Sequence, residues 1–183
     1  MSNIVLADKG LPPAIEIGAK AVGATALMIG AYKAGDKLGI GIFNFRNCHL
    51  TLANIMPTFI SKGIPFVYRT IFGSINDYFD RHSPLIGRVV AAPIIEELAF
   101  RGLQLFVFSK FMGLFSRILL SSLLFTYSHD RGQPGVLFGL LFVGIILGCL
   151  SEWNESRMNG LLTAIVAHSI YNSIIDRFHL RII

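Results

Sequence analysis

Long apolar segments in the second half of the chain restrict what it can fold into. The clearest one runs from Gly132 to Ser151, between Arg131 and Glu152, and its 20 residues carry no charge. That is about the length that an α-helix needs to cross the hydrocarbon core of a bilayer. Three further segments of this kind are Leu85–Ser109, Phe111–Ser128 and Met158–Ile175. We expect each segment to form a helix, because backbone groups in lipid must bond to each other and the segments are too long for barrel strands.

The first half of the chain has a weaker apolar pattern. Leu11–Tyr32 is long enough to span a bilayer, and its Glu16 and Lys20 lie four residues apart, so they can pair on one face of a helix. His49–Ile71 is apolar but is broken by prolines and a lysine, which fits a kinked span and a helix followed by an interfacial segment equally well. We interpret two ranges as polar loops, Lys33–Arg46 and Asn76–Pro84.

These segments predict an all-α fold, a polytopic transmembrane helix bundle of about six spans with its functional core on the last four. Residues 1–84 would form N-terminal membrane helices and loops, and residues 85–183 would form the core. The composition agrees, since 53% of the residues are hydrophobic and the mean hydropathy is +0.61. The net charge is +5. Lys and Arg are spread among the ends of the apolar segments, which indicates membrane-flanking anchors beside a lipid bilayer and no nucleic-acid partner.

Two adjacent carboxylates, Glu96 and Glu97, lie in the middle of the segment Leu85–Ser109. At the centre of a bilayer each would cost about 3 kcal/mol even on the lenient insertion scale, so a chain that carries both is expected to use them. Arg101 follows Glu97 by four residues, so the two can form an ion pair on one helix face and lower this cost. Glu96 points about 100° away and is freer to act on another group. Pro93 removes a backbone donor and predicts a kink just before the carboxylates.

Two histidines and an asparagine occupy the neighbouring segments at helical spacing. His129 follows the segment Phe111–Ser128 and lies four residues after Phe125, while His168 and Asn172 are four residues apart inside the last segment. Taken singly, His129 fits an interfacial residue, and the pair His168 and Asn172 fits interhelical hydrogen bonding. Taken together with the two glutamates and the arginine, they indicate a functional site inside the membrane.

The chemistry open to this set of side chains is hydrolysis of an amide bond without a covalent intermediate. A carboxylate and an imidazole can hold and deprotonate a water, and a second imidazole and an amide can donate to a developing oxyanion. Carboxylates and imidazoles are also zinc ligands, although the chain has no His-Glu-x-x-His pattern. A serine mechanism is weaker, because no serine lies in a Gly-x-Ser-x-Gly elbow. Buried Glu and His also fit a proton-coupled transporter, but the chain lacks the repeated halves that many transporters have.

Three ordered motifs make the chain resemble the CPBP family of membrane proteins, also called Abi, which includes the type II CAAX prenyl proteases. The family pattern is Glu-Glu-x-x-x-Arg, then Phe-x-x-x-His, then His-x-x-x-Asn, on successive membrane helices. The corresponding motifs here are Glu96-Glu97-Leu98-Ala99-Phe100-Arg101, Phe125-Thr126-Tyr127-Ser128-His129 and His168-Ser169-Ile170-Tyr171-Asn172. The resemblance covers the chain from Leu85 to Asp176.

The resemblance implies an intramembrane endopeptidase that cuts membrane-associated peptides or proteins. The roles that it implies are water activation by Glu96 and His129, oxyanion support by His168 and Asn172, and a structural or pKa-setting pair of Glu97 and Arg101. A glutamic-type enzyme without a cofactor is favoured, and a zinc enzyme with Glu96, His129 and His168 as ligands is the alternative. The expected location is a bacterial-type plasma membrane, as an integral multi-pass protein. A non-catalytic membrane protein, such as a bacteriocin-immunity factor or a scaffold, is the alternative from a different class.

Overall fold

The regular structure of the described residues is helical. This computed structural model describes residues 13–37, 70, 73–75, 77–79, 81–129 and 134–177. The main helices are α1 (Pro13–Lys37), α2 (Ala92–Gly102), α3 (Leu114–Ser128), α4 (Pro134–Glu152) and α5 (Arg157–Arg177). They confirm the all-α prediction for this part of the chain. Among the residues described, none of the helices is both long enough and apolar enough to cross a membrane. The number of spans stays a prediction.

Helix α2 is the middle of a longer helical stretch that matches the helix expected over Leu85–Ser109. An α-helical turn at Pro84–Ile86 and a π-helical turn at Gly87–Ala91 precede it. A second π-helical turn at Leu103–Val107 and a 3₁₀ turn at Phe108–Lys110 follow it. π-Helical turns are wider than α-helical ones and are frequent beside functional sites. Each of the two π-helical turns directly adjoins α2, which is the helix that carries the two glutamates.

Pro93 accounts for the first wide turn. The N–H of Ala92 donates to the carbonyl of Gly87, a step of five residues, and Pro93 has no N–H with which to continue this series. The next carbonyl of the series, at Arg88, accepts a hydrogen bond from Nδ2 of Asn172 at 2.9 Å. The disturbance expected at Pro93 therefore takes the form of a π-helical turn. Asn172 of α5 supplies the hydrogen bond that the carbonyl of Arg88 cannot receive from Pro93.

Helix α5 connects the parts of the bundle. It packs against α1, α2 and α4, while α3 packs against both α2 and α4. The approach of α4 to α5 requires glycine at position 160, because a Cβ at Gly160 would lie 1.9 Å from the carbonyl oxygen of Ser151. Helix α1 is tied to α5 by Thr25, whose hydroxyl donates to the carbonyl of Ala167 at 3.1 Å. The largest apolar side chains buried between the helices are Met28, Phe100, Leu124, Phe125, Val143 and Leu147.

Two of the predicted loops are wrong in part. The sequence predicts a polar loop over Lys33–Arg46, but α1 continues through Lys37. The lysines and Ala34 there favour a helix, and one glycine costs only about 1 kcal/mol in a helix interior. A loop is also predicted over Asn76–Pro84, yet residues 77–79 and 81–82 are helical. Pro84, at the end of this predicted loop, begins a helical turn, because the missing N–H of a proline is not needed in the first turn of a helix.

The remaining predictions for the first half have mixed outcomes. Nζ of Lys20 lies 2.5 Å from a carboxylate oxygen of Glu16, which confirms the pairing expected from their spacing. The same ammonium donates to the carbonyl of Trp153 at 3.3 Å, so it also links α1 to the connection between α4 and α5. The segment His49–Ile71 lies outside the described residues, apart from Thr70.

Candidate active site

Glu96 is the centre of a cluster that joins α2, α3 and α5. Its Oε1 lies 3.4 Å from Nε2 of His129, directly after α3, and its Oε2 lies 3.7 Å from Nε2 of His168 on α5. Glu96 and His168 are buried, whereas the side chain of His129 is 23% exposed. Three of the predicted site residues therefore come together, and His129 marks the side from which the cluster is accessible.

Hydrogen bonds at Nδ1 determine how both imidazoles face Glu96. Nδ1 of His129 bonds to the carbonyl oxygen of Phe125 at 2.8 Å, and Nδ1 of His168 bonds to Oε1 of Glu97 at 2.9 Å. Carbonyl and carboxylate oxygens only accept, so each neutral ring carries its hydrogen on Nδ1 and its lone pair on Nε2. Two lone pairs thus face the carboxylate of Glu96. Acceptors that face one another need a shared proton, a water or a cation between them.

Glu97 connects His168 to a fully buried ion pair. Its Oε2 lies 2.9 Å from Nε of Arg101, and both side chains are 0% exposed, which confirms the pairing expected from their spacing. These two atoms are not aligned as a hydrogen bond, so the attraction is mainly that of two charges. Nη1 of Arg101 donates to Oγ of Ser121 at 2.8 Å, and this hydroxyl donates to the carbonyl of Phe100 at 3.0 Å. This chain of contacts holds the imidazole of His168 in one tautomer and one orientation.

The ring of Phe125 fills the space between these polar side chains. It is 1% exposed, and its centroid lies 4.6 Å from that of His129 and 5.8 Å from that of His168. Cζ of Arg101 lies 5.5 Å from the same centroid, a contact that contributes about 0.5–2 kcal/mol. The sequence motifs leave out Ser121, although it precedes Phe125 by four residues as His129 follows it by four. That spacing is the signal that could have placed Ser121 at the site.

Asn172 lies one turn beyond His168 along α5, and its amide contacts the backbone of the helical stretch that contains α2. Nδ2 donates to the carbonyl of Arg88 at 2.9 Å, and Nη2 of Arg88 lies 2.9 Å from Oδ1 of Asp176. A role of Asn172 beside Glu96 stays a prediction. Nδ2 of Asn172 carries a second hydrogen, and a contact to a substrate beside Glu96 would use this hydrogen.

A family of known proteins matches the part of the chain that carries the cluster. The match extends over residues 81–174, just over half of the chain, and the family is described as type II CAAX prenyl endopeptidase Rce1-like. The chain belongs to this Rce1-like family. No curated protein and no solved structure matches the chain. The matched range contains all six predicted site residues.

Membership of the Rce1-like family confirms the resemblance that the three motifs indicate. It supports a CAAX-type intramembrane endopeptidase activity, which makes the chain a hydrolase in general terms. The family description names a CAAX prenyl endopeptidase, which is consistent with a peptide or a membrane protein as the substrate.

Metal binding in this Rce1-like chain would involve the carboxylate of Glu96 and the Nε2 atoms of His129 and His168. Hydrogen bonds at Nδ1 orient histidine ligands in many zinc sites, and they have the same pattern here. Zinc, however, needs nitrogen and oxygen ligands about 2.0–2.2 Å from one point. In the ranges that the structure covers, no group of three or more His, Cys, Asp or Glu side chains is arranged to hold a metal ion.

A second, partly buried polar cluster lies further along the helical stretch of α2. Gln104 is fully buried and donates from Nε2 to Oε1 of Glu152 at 3.0 Å. Arg117, the charged residue within the segment Phe111–Ser128, donates to both carboxylate oxygens of Glu152 at 2.7 and 2.6 Å. Burial acts to raise the pKa of Glu152, but the hydrogen bonds from Arg117 and Gln104 outweigh it, and the pKa lies below its ordinary value. These contacts bind α3 to α4.

Proposed function

We propose that this Rce1-like protein is an endopeptidase that hydrolyses peptide bonds with water as the nucleophile. The observation that carries this proposal is the convergence of two imidazole Nε2 atoms on the carboxylate of Glu96, at 3.4 and 3.7 Å. A buried carboxylate beside an oriented imidazole, that of His129, is suited to hold a water and to take its proton, and the second imidazole, that of His168, lies close enough to act on the same reaction centre.

Glu96 and His129 activate the water in this proposal. The 3.4 Å between Oε1 and Nε2 is long for a direct hydrogen bond, and the two hydrogens of one water can bridge it. Glu96 takes one proton while the water oxygen bonds to the carbonyl carbon of the substrate, and the electron pair of the carbonyl moves onto its oxygen. When this intermediate collapses, the C–N bond breaks and the proton on Glu96 passes to the leaving nitrogen. No bond forms between enzyme and substrate.

His168 and Asn172 support the oxyanion in this proposal. His168 donates from Nε2 only as an imidazolium, and in that form its positive charge lies between two carboxylates, with Glu97 at 2.9 Å and Glu96 at 3.7 Å. Asn172 contributes the second hydrogen of Nδ2, because the first is bonded to the carbonyl of Arg88. One donor to an oxyanion lowers the barrier by about 2.7–4 kcal/mol in a well-studied hydrolase.

Glu97 and Arg101 position His168 and do not touch the substrate in this proposal. Both side chains are fully buried, and Glu97 uses one oxygen for Arg101 and the other for His168. Loss of either residue would therefore affect the orientation of the imidazole and the stability of the fold at the same time.

The membrane is the expected place of action. The family description names a CAAX prenyl endopeptidase, and the predicted spans would place Glu96 at mid-depth of a bilayer. We therefore infer an integral multi-pass protein of a bacterial-type plasma membrane whose substrate is a prenylated peptide.

A zinc-dependent form of the same protease is the second candidate. The observation that favours it is the pair of Nδ1 hydrogen bonds, at His129 and His168, that direct both Nε2 lone pairs to one carboxylate. Bound there by Glu96 and the two imidazoles, zinc would supply Lewis acidity to the reaction.

The test is cleavage of a prenylated peptide that has three residues after its modified cysteine. The purified protein is incubated with the peptide, and release of the tripeptide is followed by mass spectrometry. Cleavage that survives thorough chelation is the expected result. Loss of cleavage on chelation with recovery on added zinc would support the zinc form, and no cleavage under either condition would contradict the proposed function.

A further inference from the structure

We infer that Arg88 binds the free C-terminal carboxylate of the peptide substrate, and that the distance from Arg88 to Glu96 determines which bond is cut. The inference rests on the proposed function. Arg88 lies in the first π-helical turn, outside the three sequence motifs and outside the hydrolytic cluster.

The structure holds Arg88 at two points. Its carbonyl accepts from Asn172 at 2.9 Å, and its guanidinium lies 2.9 Å from the carboxylate of Asp176. Both partners are on α5, where Asn172 and Asp176 follow His168 at steps of four residues. An exposed ion pair contributes about 0–1 kcal/mol to stability, so stability is a weak reason to fix this side chain. A guanidinium that is held in place but still exposed is suited to bind an anion.

The guanidinium of Arg88 has donors left for a ligand. Its side chain is 55% exposed, and the ion pair to Asp176 engages Nη2. An arginine has five N–H groups in a planar fork that matches a carboxylate with two parallel hydrogen bonds. Asp176 thus holds one part of the fork, and the remaining N–H groups are left to bind an incoming carboxylate.

The distance between Arg88 and the cluster fits a short peptide tail. Asp176 follows His168 by eight residues within the α-helix α5, so the ion pair to Arg88 lies roughly 12 Å from the cluster along the axis of that helix. Three residues of an extended peptide span about 10 Å. A CAAX sequence has three residues after its cysteine, so a peptide whose C-terminal carboxylate is bound at Arg88 would place the bond after the cysteine near Glu96.

The experiment compares one prenylated peptide, with three residues after its cysteine, in two forms: the free acid and the C-terminal amide. The wild-type protein should cleave the acid with a kcat/KM about 10–100-fold higher than the amide, and the difference should lie mainly in KM. In Arg88→Gln the kcat/KM for the acid should fall to the level of the amide, and Arg88→Lys should restore part of the preference. A peptide with one additional C-terminal residue should shift the cut by one bond in the wild type and not in Arg88→Gln.

Two matched variants separate this role from a structural one. Asp176→Asn breaks the same ion pair but keeps the guanidinium, so a preference for the acid should remain, and Arg81→Gln removes a different exposed arginine and should change nothing. If Asp176→Asn loses the preference as fully as Arg88→Gln does, Arg88 only clamps the helices and the inference is wrong. It is also wrong if the wild type cleaves acid and amide equally, although the proposed function then stands. If the wild type cleaves neither, both fail. If Arg88→Gln keeps the preference but binds phosphatidylglycerol vesicles less tightly, the anion is a lipid phosphate.

Discussion

Replacement of Arg101 by methionine tests the buried ion pair most severely. The substitution leaves the carboxylate of Glu97, which is 0% exposed, without the charge that now lies 2.9 Å away. Breaking a buried pair from one side costs about 3–5 kcal/mol, and a domain has only about 5–15 kcal/mol of stability in total. The change also removes the donor to Ser121 and the guanidinium beside Phe125. We therefore expect Arg101→Met to give a low folded yield and a large loss of unfolding free energy.

A second substitution separates the charge from the packing. Glu97→Gln removes the stranded charge, and the amide oxygen can still accept the hydrogen of Nδ1 of His168. The double variant Arg101→Met with Glu97→Gln should therefore be more stable than Arg101→Met alone. The two effects should depart from additivity by about 0.5–3 kcal/mol, as expected for residues in direct contact.

The assay is urea unfolding of the purified variants, followed by far-ultraviolet circular dichroism, with folded yield measured by size-exclusion chromatography. Arg81→Gln, on an exposed side chain, is the control and should lie within about 0.5 kcal/mol of the wild type. An Arg101→Met protein as stable as that control would refute the reasoning. So would a double variant no more stable than Arg101→Met, because the cost would then come from packing and not from charge.

Two further predictions concern the contacts between the other helices. Burial acts to raise the pKa of Glu152, but the hydrogen bonds from Arg117 and Gln104 outweigh burial and the pKa lies below its ordinary value. The ionised carboxylate should therefore stabilise the fold fully above about pH 4.3. This stabilisation should be lost as the pH falls through the lower pKa of the folded state. The Tm difference between wild type and Glu152→Gln should shrink over that range, and a constant difference would contradict the assignment. Gly160→Ala should lower the free energy of unfolding by about 1–3 kcal/mol, since the new Cβ would lie 1.9 Å from the carbonyl oxygen of Ser151. Gly23→Ala, with nothing within 4 Å of the new Cβ, should raise it by about 0.5–1 kcal/mol. Equal Tm shifts for the two variants would contradict this account.

Helices with long uncharged runs were predictable because their extent depends on composition. The segments Gly132–Ser151 and Met158–Ile175 correspond to α4 and α5 within a few residues. The end of α1 was missed because Gly35 and Asp36 suggested a loop, although Lys33, Ala34 and Lys37 around them favour a helix. A disturbance of the helix at Pro93 was predictable, but its form as a π-helical turn was not, since that form involves a donor that α5 supplies from Asn172.

The candidate site shows the same division between local and tertiary information. The pair Glu97 and Arg101 was predictable, because residues four apart on a helix are neighbours wherever the helix packs. The bond from His168 to Glu97 was not, because it depends on how α5 lies against α2. The sequence assigned the two glutamates to separate roles, and the contact to His168 now joins them through one imidazole, with Glu97 at Nδ1 and Glu96 at Nε2.

The most direct test of water activation by Glu96 is to compare Glu96→Gln with Glu97→Gln for folded yield and cleavage of the prenylated peptide. Glu96→Gln should keep the wild-type yield and lose cleavage by at least about 100-fold, because the amide cannot take a proton from water. Glu97→Gln should retain more cleavage, since its oxygen can still accept from His168. A Glu96→Gln protein with near-normal turnover beside a folded but inactive Glu97→Gln protein would reverse the two roles. Full turnover in both would contradict the protease mechanism itself.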